Sequence, residues 1–289
     1  MVTKVEKATD LEELALFLSK MNKQKETHIG YCGIKVEEIR QTLEEDFINE
    51  NGELNFQIAR NTEGEIVAAV GIDIDDTFAE VWGPYNQTPS VELQEQLWKR
   101  LTREYPTVQT YSFFINKENK QQQRFMNEIN AKCSGEHLIL EIHEQNVEKV
   151  SKIESTPFID SDYRGFEKLH NELFPNTYYD AKTIIERLGN GNILKIVRDN
   201  SNELQGYAYF EVDIIMAEAS LEYIGIAPSA QNQGLGTQLL KEVVTEMFSF
   251  PQITEIKLTV EDTDTKANHV YLKAGFELKD RLISYRLNK

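Results

Sequence analysis

Only two cysteines, Cys32 and Cys133, occur in 289 residues. They stand far apart and outside any CxxC spacing, which argues against a disulfide scaffold or a zinc site and for a reducing compartment. With only 7 prolines, 40% hydrophobic and 27% charged residues, the composition is not that of a disordered chain. No run of about 18 apolar residues exists to span a membrane. The opening MVTKVEKATDLEELALF lacks the apolar core of a signal peptide, so a cytoplasmic protein with no membrane contact is expected. Basic residues are scarce: 31 Lys and Arg against 48 Asp and Glu, a net charge of -17. A phosphate backbone wants a Lys/Arg footprint, so nucleic acid is not an expected partner. Such a charge serves solubility and mildly favours a cationic substrate. His28, His137, His143, His170 and His269 show no ligand spacing such as HxxxH, and no metal is expected.

The length fits two domains, and the sequence repeats itself. In the first half Phe56–Arg60, a polar turn at Asn61–Gly64 and Glu65–Gly71 read as strand, turn, strand. In the second half Leu194–Arg198, Asp199–Asn202 and Glu203–Tyr209 read the same way. A shift of 138 carries Ile58, Arg60, Glu65 and Asp75 onto Ile196, Arg198, Glu203 and Asp213 without a gap.

The flanks agree. Helical patterns precede each hairpin at Asp10–Met21 and Val36–Phe47, then at Tyr163–Leu173 and Asp180–Leu188. A strand and an amphipathic helix follow, Val91–Tyr105 and Gly236–Phe248. Then come a strand (Val108–Ile115; Glu255–Val260), a short helix (Lys120–Ile129; Lys266–Lys273) and a strand closing each copy (His137–His143; Leu282–Leu287). The order β-α-α-β-β-β-α-β-α-β, twice over, predicts an α/β fold with mixed sheets and helices on their faces. The domains are expected at 1–148 and 153–289, with the polar stretch Glu144–Thr156 as linker.

The copies differ where chemistry would sit. In the second, the strand Leu221–Ala227 runs through Pro228 into Gln231-Asn-Gln-Gly234-Leu-Gly236-Thr237 and then a helix with apolar Leu239, Leu240, Val243, Val244 and Met247. The first turn of a helix leaves N–H groups unpaired and carries partial positive charge. Glycines at 234 and 236 remove Cβ atoms, so a diphosphate can approach the backbone. A tight strand-to-helix turn is the alternative use of those glycines. The GxxxxGK[ST] loop is absent, and Leu239 stands where GxGxxG needs its third glycine.

Gln231–Gly236 matches the Q/R-x-x-G-x-G/A signature of the GNAT acetyltransferases. Ile224-Gly-Ile226-Ala-Pro228 resembles their fourth strand, and Ala267–Phe276 resembles their A-x-x-L-Y-x-K-x-G-F segment. The resemblance covers roughly residues 155–289. It implies two tandem GNAT-like domains, the first degenerate, with acetyl-CoA as co-substrate of the second. Its implied cofactor contacts are Gln231, Gln233, Gly234, Leu235, Gly236 and Thr237 for the pyrophosphate, and Ile224, Gly225 and Ile226 for the pantetheine arm. Asp264 departs from the asparagine usual seven residues before the tyrosine; Asn268 is the candidate to compensate. Tyr271 matches the tyrosine that protonates the departing thiolate, and Glu222 the glutamate that often acts as general base. With a two-residue strand period, Glu222 and Ile226 are expected on one face.

In the first copy, aligning Pro84 with Pro228 sets Ser90 and Glu92 where the second has Gly234 and Gly236. Pro89 offers no amide proton and Glu92 brings negative charge, so this copy is expected to have lost cofactor binding.

A lysine-like amine with a pKa of about 10.4 is neutral in only about one molecule per thousand at pH 7.4, a barrier of roughly 4 kcal/mol that a carboxylate base relieves. The loop Phe174–Tyr179 lies where this family often builds its acceptor pocket, and Tyr178 and Tyr179 are the candidate substrate contacts. The expected activity is N-acetyl transfer to a small-molecule or protein amine by a monomer or homodimer. The alternative is an acyl-CoA-binding regulatory module without chemistry.

Overall fold

A computed structural model describes residues 2–148 and 154–289, leaving part of the expected linker, 149–153, outside the described residues. The chain divides into two compact units: Met1–His137 with Asp280–Lys289, and Leu138–Lys279.

In the first half of the chain the order is β1 (Val2–Lys7), α1 (Leu11–Asn22), α2 (Val36–Asp46), β2 (Phe56–Asn61), β3 (Ile66–Asp75), β4 (Phe78–Asn86), α3 (Val91–Glu104), β5 (Thr110–Asn116), α4 (Lys120–Glu128) and β6 (Lys132–His143). β1 through β4 pair antiparallel in sequence order, and β4 pairs parallel with β5. Leu93, Leu97 and Leu101 on α3 recur at helical spacing and are buried. Trp98 on the same helix packs edge-on to Tyr111 at 4.8 Å between centroids.

The second half of the chain repeats the order: β7 (Ser155–Pro157), α5 (Tyr163–Leu173), α6 (Ala181–Arg187), β8 (Asn192–Arg198), β9 (Leu204–Asp213), β10 (Glu218–Ile226), α7 (Leu235–Met247), β11 (Glu255–Glu261), α8 (Thr265–Ala274) and β12 (Glu277–Asn288). β10, β9, β8 and β7 form one antiparallel sheet in that order. Successive side chains of a strand alternate between faces, and β9 divides accordingly. Ala208, Phe210 and Val212 join Leu239, Leu240, Val243, Val244 and Met247 of α7 in one core. Tyr207 and Tyr209 join Phe166 and Leu169 of α5 in the other. Each buried aliphatic of α7 contributes about 1.5–3 kcal/mol by leaving water.

The last strand departs from expectation. Leu282–Asn288 of β12 does not close the second copy; it pairs antiparallel with Thr110–Asn116 of β5, in the first unit. Conversely Leu138, Leu140 and Ile142 of β6 lie in the core beside α7. The closing strands are exchanged. An alternating strand carries a face preference but no label for its partner, so sequence periodicity could not tell the two arrangements apart.

Candidate active site

Between β10 and α7 the chain makes a 3-10 turn at Pro228–Ala230, then enters the left-handed region at Asn232 (φ 60°) and Gly234 (φ 84°). Gly234 is the N-cap, without a side-chain cap hydrogen bond. The Gln238 N–H donates to the Gly234 carbonyl at 3.0 Å, so the N–H groups of Leu235, Gly236 and Thr237 precede the helical ladder. A Cβ at Gly234 would meet nothing within 4 Å: its glycine answers to backbone hand, and the space before it is open. The amides of Gln231 and Gln233 fold back onto their own turn, donating to the carbonyls of Ile226 (3.0 Å) and Ser229 (3.2 Å).

β10 is an edge strand of its sheet, paired with β9 on one side. A cavity of about 330 Å³ lies beside it, lined by Ser220, Leu221 and Glu222 of β10, Lys257, Leu258 and Thr259 of β11, and Tyr271 of α8. Burial pushes the Tyr271 hydroxyl above the ordinary tyrosine range, and the charge of Asp264 adds to the shift. Asp264 caps α8, its carboxylate accepting the Ala267 N–H at 2.9 Å. The Asn268 amide donates to the carbonyls of Glu261 and Asp262, both at 3.2 Å, anchoring the end of β11. Its Oδ1 is buried and has no hydrogen-bond partner among the described residues.

β10 carries a bulge at Glu222. Leu221 faces Phe210 and Tyr223 faces Tyr209, leaving Glu222 without a partner on β9. The bulge changes the face of the strand. Leu221 packs in the α7 core, whereas Tyr223, two residues on, packs in the α5 core. The uninterrupted alternation expected over this strand is therefore broken at Glu222 itself. The Glu222 side chain is exposed.

Over the α5 face lies the loop between α5 and α6. Tyr178 is 88% exposed; the Tyr179 ring lies 4.7 Å from it and under the Arg187 guanidinium, 4.4 Å from the ring centroid. Arg187 grips Glu211 with both Nε (3.2 Å) and Nη2 (2.8 and 2.9 Å), and the Tyr209 hydroxyl donates to the same carboxylate at 2.5 Å. Burial is the main cause of the raised Tyr179 hydroxyl pKa; the Glu211 and Glu222 charges also push it up.

A sequence model of the acetyltransferase (GNAT) family matches residues 151–276, which span this turn, the cavity and the loop. This segment therefore resembles the GNAT family. The whole chain also shares its fold with solved GNAT structures. A GCN5-related N-acetyltransferase from Sphaerobacter thermophilus is 15% identical, with 99% of this chain and 95% of that one covered, at a TM-score of 0.73. A tandem GNAT protein from the clavulanic acid biosynthesis pathway is 14% identical, with 99% and 98% covered, at 0.62. A GNAT-family acetyltransferase from Colwellia psychrerythraea is 13% identical, with 99% and 100% covered, at 0.57.

Within this matched segment the expected cofactor residues Ile224, Gly225, Ile226, Gln231, Gln233, Gly234, Leu235, Gly236 and Thr237 lie along one strand end and the helix mouth that follows it. Glu222 and Tyr271 line one cavity. Gly225 has a packing duty as well: a Cβ there would come within 2.9 Å of the Tyr207 ring and 2.7 Å of Leu173. Sequence reading missed His170, Tyr207 and Tyr223, which carry the loop described above, although Tyr207 and Tyr223 stand among strand residues it had placed.

The first unit builds the corresponding mouth differently. Helices α3 and α7 start at equivalent positions once Pro84 is set on Pro228, so Ser90 is the N-cap equivalent to Gly234. Its φ is -84°, the opposite hand. The Glu92 carboxylate sits at this mouth, held below the usual carboxylate range by the Ser90 hydroxyl (2.5 Å) and its own backbone N–H. Gln94 and Gln122, both buried, donate to the carbonyls of Pro84 and Gly83. The caps Asn119 and Asp264 align α4 with α8, which sets buried Met126 where the second unit has Tyr271.

Glu141, His143 and Glu255 bring potential metal ligands within 4.8 Å of one another. Ion pairs from Lys279 to Glu141 and from Lys257 to Glu255 already balance both carboxylates. Among the described residues no helix is long and apolar enough to cross a membrane.

Proposed function

We propose that the second unit binds acetyl-CoA and transfers its acetyl group to a primary amine, of a small molecule or a protein. The observation that carries this reading is the open mouth of α7, led by a left-handed glycine, on the same strand as a cavity that holds both a carboxylate and a protonated phenol.

The residues present suit such a ligand. The N–H groups of Leu235, Gly236 and Thr237, at the positive end of the α7 dipole, would hold the pyrophosphate without any lysine. The free edge of β10 at Ile224, Gly225 and Ile226 would hold the pantetheine amides. When bound, acetyl-CoA supplies an activated thioester acyl group. Glu222, at the bulge and free of any cross-strand partner, takes the proton from the acceptor's ammonium, directly or through water, so that the neutral amine attacks the thioester carbonyl. Tyr271 delivers its phenolic proton to the departing sulfur; a hydroxyl pKa raised by burial keeps that proton in place at neutral pH. Tyr178 and Tyr179 face the acceptor. The first unit, with Glu92 in its helix mouth and Met126 in place of the tyrosine, serves as a scaffold without cofactor.

Assay of CoA release with a panel of polyamines and amino acids tests the reading. Turnover with at least one amine, lost in Glu222→Gln, is the expected result. No release with any acceptor, at saturating acetyl-CoA, overturns it.

A further inference from the structure

We propose that Tyr223 and His170 are positioning residues that fix Tyr179 as a wall of the acceptor site. This rests on the acetyl-transfer reading above, which makes the face beside Glu222 the place where the amine arrives.

The loop from Phe174 to Asp180 contributes little apolar burial of its own: Pro175, Asn176, Tyr178 and Asp180 are exposed. Its position therefore depends on polar anchors, and they converge on one residue. The Tyr179 N–H donates to the Tyr223 hydroxyl at 3.0 Å, and the Thr177 hydroxyl donates to the same oxygen at 2.6 Å. At its other end, the Tyr179 carbonyl lies 2.9 Å from His170 Nε2. A carbonyl only accepts, so Nε2 carries the proton and Nδ1 is left to accept from the Tyr207 hydroxyl at 2.6 Å. Both backbone groups of Tyr179 are thus held, and Arg187, itself locked by Glu211, covers its ring.

His170 and Tyr207 are fully buried, and the His170 ring meets the Tyr223 ring edge-on at 5.0 Å. Asp180 closes the loop by capping α6, accepting the Thr183 N–H at 2.7 Å. Tyr223 also directly follows the bulge residue. One turn of β10 backbone therefore sets both the general base, Glu222, and the anchor of the opposing aromatic wall. Any displacement of the loop moves Tyr179 relative to Glu222, which alters acceptor fit while leaving the α7 mouth untouched.

Tyr223→Phe deletes the receiving hydroxyl and keeps the ring. In this full-length variant, hydrogen exchange at the Tyr179 amide should accelerate by about tenfold. With the best acceptor from the amine panel, KM for the acceptor should rise by about tenfold, with kcat and the acetyl-CoA Kd within about twofold of wild type. Arg187→Met, which removes the guanidinium from the Tyr179 ring together with its pair to Glu211, should raise the acceptor KM in the same direction. Unchanged acceptor KM in both variants, with acetyl-CoA still bound, overturns the positioning role; so does unchanged Tyr179 exchange in Tyr223→Phe. Failure of the wild type to bind acetyl-CoA instead overturns the acetyl-transfer reading, and the two failures are separated by that titration.

Discussion

Asp264 and Tyr271 are coupled through one helix: the carboxylate that caps α8 also helps to raise the pKa of the phenol two turns along it. The residue that departs from the family pattern is thus an N-cap, and an acidic side chain caps as well as asparagine does. Asp264→Asn should change unfolding stability by only a few tenths of a kcal/mol, whereas Asp264→Ala should lose about 1 kcal/mol. Urea unfolding of the three proteins measures both.

Tyr271→Phe should reduce kcat by about 100-fold with the acetyl-CoA Kd unchanged. Because the Tyr271 hydroxyl is raised, mainly by burial, its loss of a proton falls above the ordinary tyrosine value of about 10. No alkaline decline in kcat from this residue should be seen between pH 7 and about 9.5. A profile that declines in that window in the wild type and not in the variant would contradict the assignment.

Burial lowers the His170 pKa, outweighing the Tyr179 carbonyl and the Asp180 charge, which act to raise it. An imidazole that resists protonation when folded, but accepts it freely when unfolded, makes acid favour unfolding. Its stabilising effect is complete above the unfolded value of about 6.5, falls as the pH drops below it, and stops changing below the folded pKa. Urea midpoints between pH 8 and 5 should show this decline in the wild type and a shallower one in His170→Gln.

Much of this was legible in sequence because local rules govern it. The periodicity of Tyr163–Leu173 gave the bounds of α5, and Gln231–Gly236 marked the turn whose backbone needs a left-handed residue. What escaped involves distance. The bulge at Glu222 is a register shift against β9, visible only when the partner strand is known. The pairing of β12 with β5 joins residues far apart in sequence. His170 carries no ligand spacing, and its partners Tyr207 and Tyr179 meet it only after β9 folds under α5.

The two copies also offer a direct exchange. Gly236→Glu gives the second mouth the carboxylate that the first carries as Glu92. Position 236 is partly exposed, and a Cβ there meets only Ile226 Cγ1, at 3.4 Å, so the fold should tolerate it. The carboxylate would compete for the helix N–H groups and repel a diphosphate.

Isothermal titration of acetyl-CoA into the wild type and Gly236→Glu tests the central claim most directly. Saturable one-site binding by the wild type, weakened at least about tenfold in the variant, is the predicted result. No binding by the wild type at millimolar acetyl-CoA, or equal binding by both proteins, would contradict it.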